Sequence, residues 1–150
     1  MITIREARKK DAERILQLIK ALALFEKEEN AVEVQLDEFI QDGFGENPVY
    51  KCIVAEKDSY VVGFALYYIR YSTWKGKTVY LEDFLVDEAY RSQGIGKLLF
   101  EEMIRIAKKL NVRQMSWQVL DWNEGAIRFY QKYEAEILEG WLNARLINFK

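Results

Sequence analysis

Three short segments of this 150-residue chain carry residue types that could do chemistry. The first is Glu82-Asp83, inside Tyr80-Leu81-Glu82-Asp83-Phe84-Leu85-Val86, a run otherwise suited to a buried strand. Carboxylates are costly there unless they are paired or used. Strand alternation sends the two to opposite faces, so they share one wet surface only if a bulge breaks the alternation. Either one faces solvent while the other bonds a buried backbone group or a lysine, or one is a desolvated carboxylate poised to accept a proton. The second segment is Arg91-Ser92-Gln93-Gly94-Ile95-Gly96-Lys97, between a strand pattern and a helix pattern. It reads equally as an ordinary glycine turn or as a helix entrance whose free N–H groups hold a pyrophosphate. The dinucleotide fingerprint fails because Leu99 holds the third glycine position. The P-loop fails because Arg91 and Leu98 stand where it needs Gly and Ser or Thr. The third segment is Asp121-Trp122-Asn123, with Tyr130 seven residues after Asn123. Asn123 is suited to cap a helix, and Phe129 and Tyr130 then lie two turns in, as core aromatics or with a phenol available for chemistry.

Composition narrows that chemistry. No histidine is present, which removes Ser-His-Asp and Cys-His mechanisms and most zinc sites, so no metal is expected. Proton transfer is left to carboxylate, tyrosine, lysine or water. A net charge of -2 gives no reason to expect binding to nucleic acid or to an anionic membrane. One cysteine, Cys52, cannot form an intrachain disulfide and reads as a small core residue on a strand. The opening residues lack the apolar core of a signal peptide, and no apolar run approaches a membrane span, so a cytoplasmic location is expected.

The elements that must position these segments follow from periodicity. ITIREA reads as a strand. Asp11 precedes a helix with Ile15, Leu18, Ile19 and Leu22 on one face. LDEFIQDG reads as a second helix with Gly43 as its stop. YKCIVAEK and YVVGFALYYIRY are strands joined by a hairpin at Asp58-Ser59, and KTVYLEDFLV is a third. A long helix carries Leu99, Met103, Ile106 and Leu110 on one face. RQMSWQVL reads as a strand, NEGAIRFYQKY as a short helix, and WLNARLINF as a closing strand. No linker or repeat interrupts the chain, so residues 1–150 read as one α+β domain with a βαβ passage in its second half.

Together the three segments resemble, in order and spacing, the GNAT superfamily of N-acetyltransferases. Within it the chain looks like the diamine (spermidine/spermine) acetyltransferase family, through FEKEE, DGFGENPVY, YSTWKGKTVYLEDF, RSQGIG, VLDWN and the terminal GW. The resemblance implies an α+β fold with a mixed, mostly antiparallel sheet, a splayed parallel pair of central strands and flanking helices. It implies acetyl-CoA as cosubstrate, a small primary amine as acceptor, and a homodimer. Main-chain groups of Phe84, Leu85 and Val86 would bond the pantetheine arm. Arg91, Ser92, Gln93, Gly94, Ile95, Gly96 and Lys97 would wrap the pyrophosphate, and Asn123, Glu124, Gly125 and Ala126 would lie along the cofactor. Tyr130 matches the catalytic tyrosine beside sulfur, and Glu82 the acidic residue on the substrate amine. Phe25, Glu26, Trp74, Asp83, Ser116, Trp117, Gln118 and Glu139 match or flank substrate-side positions.

Two departures stand out. The family usually has glycine where Glu134 stands, and polyamine-preferring members carry an acidic residue just before Trp74, where this chain has Ser72 and Thr73. Thialysine-preferring relatives resemble the chain there, which points to a lysine-like or diamine acceptor. By chemistry, Glu82 either takes the ammonium proton through water or only anchors the ammonium. The alternatives are acetylation of protein lysines or N-termini, which needs an open groove, and a non-catalytic acyl-CoA-binding module.

Overall fold

Alternating β-branched and aromatic residues build five strands: β1 (Ile2–Glu6), β2 (Lys51–Lys57), β3 (Tyr60–Ser72), β4 (Gly76–Val86) and β5 (Met115–Ser116). A computed structural model describes residues 1–149 of the chain. The four helices are α1 (Ala12–Phe25), α2 (Leu36–Phe44), α3 (Ile95–Lys109) and α4 (Glu124–Gln131). The sheet order is β1-β2-β3-β4-β5, antiparallel throughout except for the parallel pair β4 and β5. Helix α3 is the crossover that a parallel pair requires. This is the mixed, mostly antiparallel α+β fold expected above.

The chain forms two compact units, residues 1–117 and residues 118–150. In the first, one sheet face takes α1 and α2. Ile15 and Leu18 of α1 and Phe39 of α2 are buried against Cys52, Val54, Phe64, Leu66 and Leu85. Cys52 is thus the core residue anticipated, and burial pushes its thiol well above the usual range. The opposite face takes α3. The Phe84 ring meets Phe100 edge-on, and a Cβ on Gly63 would press on Leu99 and on the Leu85 carbonyl. Arg5 ties β1 to the start of α1 and to β2, donating to both carboxylate oxygens of Asp11 and to one oxygen of Glu56. The second unit holds α4 and, from residue 132 to 149, neither helix nor strand.

Three elements differ from the sequence reading. Helix α2 runs through Gly43 to Phe44. Gly43 is glycine for another reason: a Cβ there would fall 2.1 Å from the Tyr50 ring, whose hydroxyl donates to the Phe39 carbonyl. The strand expected over RQMSWQVL shrinks to two residues, and no closing strand forms over WLNARLINF. Side-chain alternation shows that a segment could pair; a strand also needs a neighbour's backbone, and alternation does not supply one. The Asp58-Ser59 hairpin forms as read, with φ of 50° and 63° in the left-handed region that a tight primed turn demands.

Candidate active site

The register of β3 on β4 resolves the Glu82-Asp83 question. Leu66 pairs with Asp83 and Tyr67 with Leu81, so Glu82 is an extra residue on β4, a β-bulge. Asp83 follows Leu66 and Leu85 onto the α1 and α2 face. Glu82, displaced by the bulge, accepts a 2.8 Å hydrogen bond from the Tyr68 hydroxyl. Both carboxylates therefore serve one side, as only a broken alternation allows. Glu26, at the end of α1, completes the cluster.

The three carboxyls are not equivalent. Asp83 is half-buried, and burial, helped by the charges of Glu82 and Glu26, pushes it up to about 7. Burial also raises Glu26, while Glu82 is exposed. Of the two strand carboxyls, Asp83 is the desolvated one, and Glu82, matched above to the acidic residue on the substrate amine, is in contact with solvent. Burial and the bond to Glu82 push the Tyr68 phenol up to about 12, so it stays a donor to that carboxylate.

The parallel ladder of β4 with β5 spans Val79↔Met115 and Tyr80↔Ser116 and goes no further toward Phe84, Leu85 and Val86. β5 itself ends at Ser116, and the bulge at Glu82 lies two residues past the last ladder pair on β4. Ser116 ends the ladder, and Trp117 turns its ring edge-on to Phe100 of α3, a packing role.

β4 leads into the glycine loop. Ser92 and Gly94 are left-handed, with φ of 64° and 80°. Nothing lies within 4 Å of a Cβ built at Gly94, so backbone conformation rather than space calls for glycine there. Gly94 gives α3 no side-chain cap, and its first turn holds no acidic residue. The amides of Ile95, Gly96 and Lys97 have no intrahelical partner, as at any helix start. Arg91, Gln93 and Lys97 are exposed around them. Lys57, which the sequence reading missed, donates to the Gln93 side chain at 2.9 Å. Free amides, a positive helix end and nearby cations fit a pyrophosphate. The Arg91 guanidinium stands 5.7 Å from the Phe25 ring, which joins this loop to the end of α1 beside Glu26.

Trp74 sits at the β3–β4 turn, 83% exposed, where the Ser72 hydroxyl accepts from its backbone N–H. Six strand residues, about 20 Å, separate this turn from Glu82 within the chain. A cavity of about 600 Å³ lies between α3 and the ends of β2 and β3, near Tyr67 and Arg105. Tyr68 lines it, but Glu82, Asp83 and the glycine loop do not.

In the second unit, Asn123 caps α4 as expected, its side-chain oxygen accepting from the Ala126 amide at 3.2 Å. Glu124 and Gly125 are exposed at the start of that helix. Tyr130 is buried, its ring 5.5 Å from Phe129. Glu134 has φ of 62°, and the Ala135 amide reaches back to the Tyr130 carbonyl. This is a left-handed helix stop, the position where glycine is the unstrained choice. Gln118 donates to Asn143, and Glu139 is exposed.

The model of the acetyltransferase (GNAT) family matches residues 12–134. Thialysine N-epsilon-acetyltransferase of Mus musculus is 42% identical, over 95% of this chain and 90% of that protein. Spermidine/spermine N(1)-acetyltransferase-like protein 1 of Homo sapiens is 38% identical, over 92% of this chain and 21% of that longer protein. Among solved structures, the aminoglycoside N-acetyltransferase AAC(6')-Iy in complex with CoA superposes with a TM-score of 0.77 at 22% identity, covering 97% of this chain and 95% of that one.

Proposed function

The chain belongs to the GNAT acetyltransferase family, and from that premise we propose that it moves the acetyl group of acetyl-CoA onto the primary amine of a small molecule, a lysine-like amino acid or a diamine. One observation carries the reading. A single strand, β4, joins a cation-accepting carboxylate cluster at Glu82 and Asp83 to an anion-accepting helix entrance at Ser92 to Lys97. The match to the family runs across both compact units, and we take residues 1–150 as one acetyltransferase domain.

An alkyl amine has a pKa near 10.4, so at neutral pH it arrives protonated and unreactive. Glu82, exposed and oriented by Tyr68, anchors the ammonium. Asp83 stands next to it with a carboxyl near pH 7, which narrows the gap between proton donor and acceptor to roughly three pKa units. The Glu82-Asp83 pair therefore takes the proton, directly or through water. Acetyl-CoA, when bound, supplies the thioester. Main-chain groups of Phe84, Leu85 and Val86 hold its pantetheine arm. Arg91 and the loop from Ser92 to Lys97 hold its pyrophosphate, and Asn123 to Ala126 border it. The neutral amine forms the C–N bond as the C–S bond breaks, and the second nitrogen proton, shed as the amide forms, passes through solvent to restore the Tyr130 phenol after it has protonated the thiolate. Tyr130 donates to the departing thiolate, a transfer uphill by about 2 kcal/mol if both groups keep their usual pKa values of roughly 10 and 8.5. Holding amine and thioester together supplies most of the rate, with no covalent enzyme intermediate.

A homodimer in the cytoplasm completes the proposal. The exposed Trp141, Leu142 and Phe149 are candidates for apolar contact between copies, and light scattering reads the mass. The deciding assay supplies acetyl-CoA with thialysine, lysine, diamines, polyamines and a lysine peptide, and follows thiol release. Turnover of the small amines is the expected result. Turnover of the peptide alone would favour a protein acetyltransferase, and turnover of none a non-catalytic acyl-CoA-binding module.

A further inference from the structure

One face of the β3–β4 ribbon carries a row of side chains with opposite charges at its ends. Tyr68 pairs with Tyr80 and Arg70 with Thr78, so Tyr68 and Arg70 share a face with Tyr80, and the bulge brings Glu82 to the same side. The Tyr68 hydroxyl holds Glu82 at 2.8 Å. The Tyr68 and Tyr80 rings lie 5.5 Å apart, and the Arg70 guanidinium stands 5.0 Å from the Tyr80 ring. Stacking on a ring fixes a guanidinium while leaving its N–H fork open. Among the described residues no carboxylate forms an ion pair with Arg70.

We propose that Arg70 is a specificity residue that receives the α-carboxylate of an ω-amino acid whose side-chain ammonium is held at Glu82, so that the preferred acceptor is dipolar rather than a diamine or polyamine. This rests on the small-amine acetyltransferase reading above. The Arg70–Tyr80 contact of 5.0 Å, the Tyr80–Tyr68 contact of 5.5 Å and the 2.8 Å bond from Tyr68 to Glu82 limit the separation of guanidinium and carboxylate to at most about 16 Å. An extended ω-amino acid of lysine length spans about 7 Å from nitrogen to carboxylate, so with a hydrogen bond of about 3 Å at each end it bridges about 13 Å, within that limit. The two tyrosine faces line the interval with surface suited to methylenes and to a cation. A diamine would place its second ammonium toward Arg70, like charge against like charge.

The test compares thialysine with its decarboxylated counterpart, bis(2-aminoethyl) sulfide, on wild type, Arg70→Gln and Arg70→Lys. Wild type should prefer thialysine. Arg70→Gln should raise the thialysine KM about 10- to 100-fold, the range for losing a charge-assisted hydrogen bond, with kcat nearly unchanged. The diamine KM should stay the same or fall. Arg70→Lys should restore part of the thialysine affinity, because charge returns without the planar fork. Equal losses on both substrates, or none on thialysine, would overturn the role of Arg70 and leave the acetyltransferase reading intact. Wild type that acetylates neither amine would overturn both. Acetyl-CoA affinity, measured in parallel, should not change in either variant.

Discussion

Asp83→Asn is the most informative single change, because it alters stability and rate with opposite signs. The Asp83 carboxyl titrates near 7 in the folded chain instead of the usual 3.8. A carboxyl raised on folding contributes stability that is complete below the unfolded value and is lost as pH rises through the folded one. One pKa unit corresponds to about 1.4 kcal/mol, which sets a ceiling of about 4 kcal/mol on that loss. Asp83 is only half-buried, and water screens part of the effect, so about 2 kcal/mol is the expected size. Asparagine keeps the shape and never ionises. Urea unfolding should therefore show the variant gaining about 2 kcal/mol on wild type between pH 4.5 and pH 8. Activity should move the other way. The wild-type kcat/KM profile should carry an acidic limb near pH 7, and Asp83→Asn should lose that limb together with most of its rate. A variant that retains the limb, or a stability difference that ignores pH, would refute the assignment of Asp83 as the desolvated acceptor.

Three further outcomes are expected. Tyr130→Phe should lower kcat about 100-fold, within the range for general acid catalysis, while acetyl-CoA affinity by calorimetry stays within about twofold; unchanged turnover removes the phenol from the chemistry. Gly94→Ala should raise the acetyl-CoA KM about fivefold, because a left-handed alanine costs roughly 1 kcal/mol and shifts the first amides of α3; a wild-type KM would mean that those amides do not hold the pyrophosphate. Glu134→Gly should stabilise the chain by about 1 kcal/mol in chemical denaturation, relieving a left-handed glutamate; a loss of stability would show that the glutamate side chain contributes more than its backbone costs.

Much of this architecture was legible in the residues themselves. The inward faces of α1 and α3, the β2–β3 hairpin, the Asn123 cap and the glycine loop all follow from local periodicity or turn chemistry. Such signals are complete within a few residues. What was not legible depends on a distant partner. Gly43 looked like a helix stop, yet Tyr50, seven residues away, explains it. Tyr68 and Arg70 looked like ordinary strand residues, and only the register on β4 shows that they stand in line with Glu82. WLNARLINF has the alternation of a strand and forms none, because alternation states a capacity and pairing requires a neighbour.

The bulge is where these two kinds of information meet. Two adjacent carboxylates in an apolar run are a visible anomaly, and alternation alone forces a choice between them. One extra residue in β4 removes the choice. It brings Glu82 to the side of Asp83, so the Glu82 charge adds to the burial that already favours the protonated Asp83 carboxyl. It also sets a bend in β4 after the last ladder pair with β5 and before Phe84, Leu85 and Val86. The raised carboxyl and the bend in β4 thus share one backbone cause. An ion pair with lysine would have lowered Asp83, and a regular strand would have sent Glu82 toward α3; the observed register and the raised carboxyl exclude both.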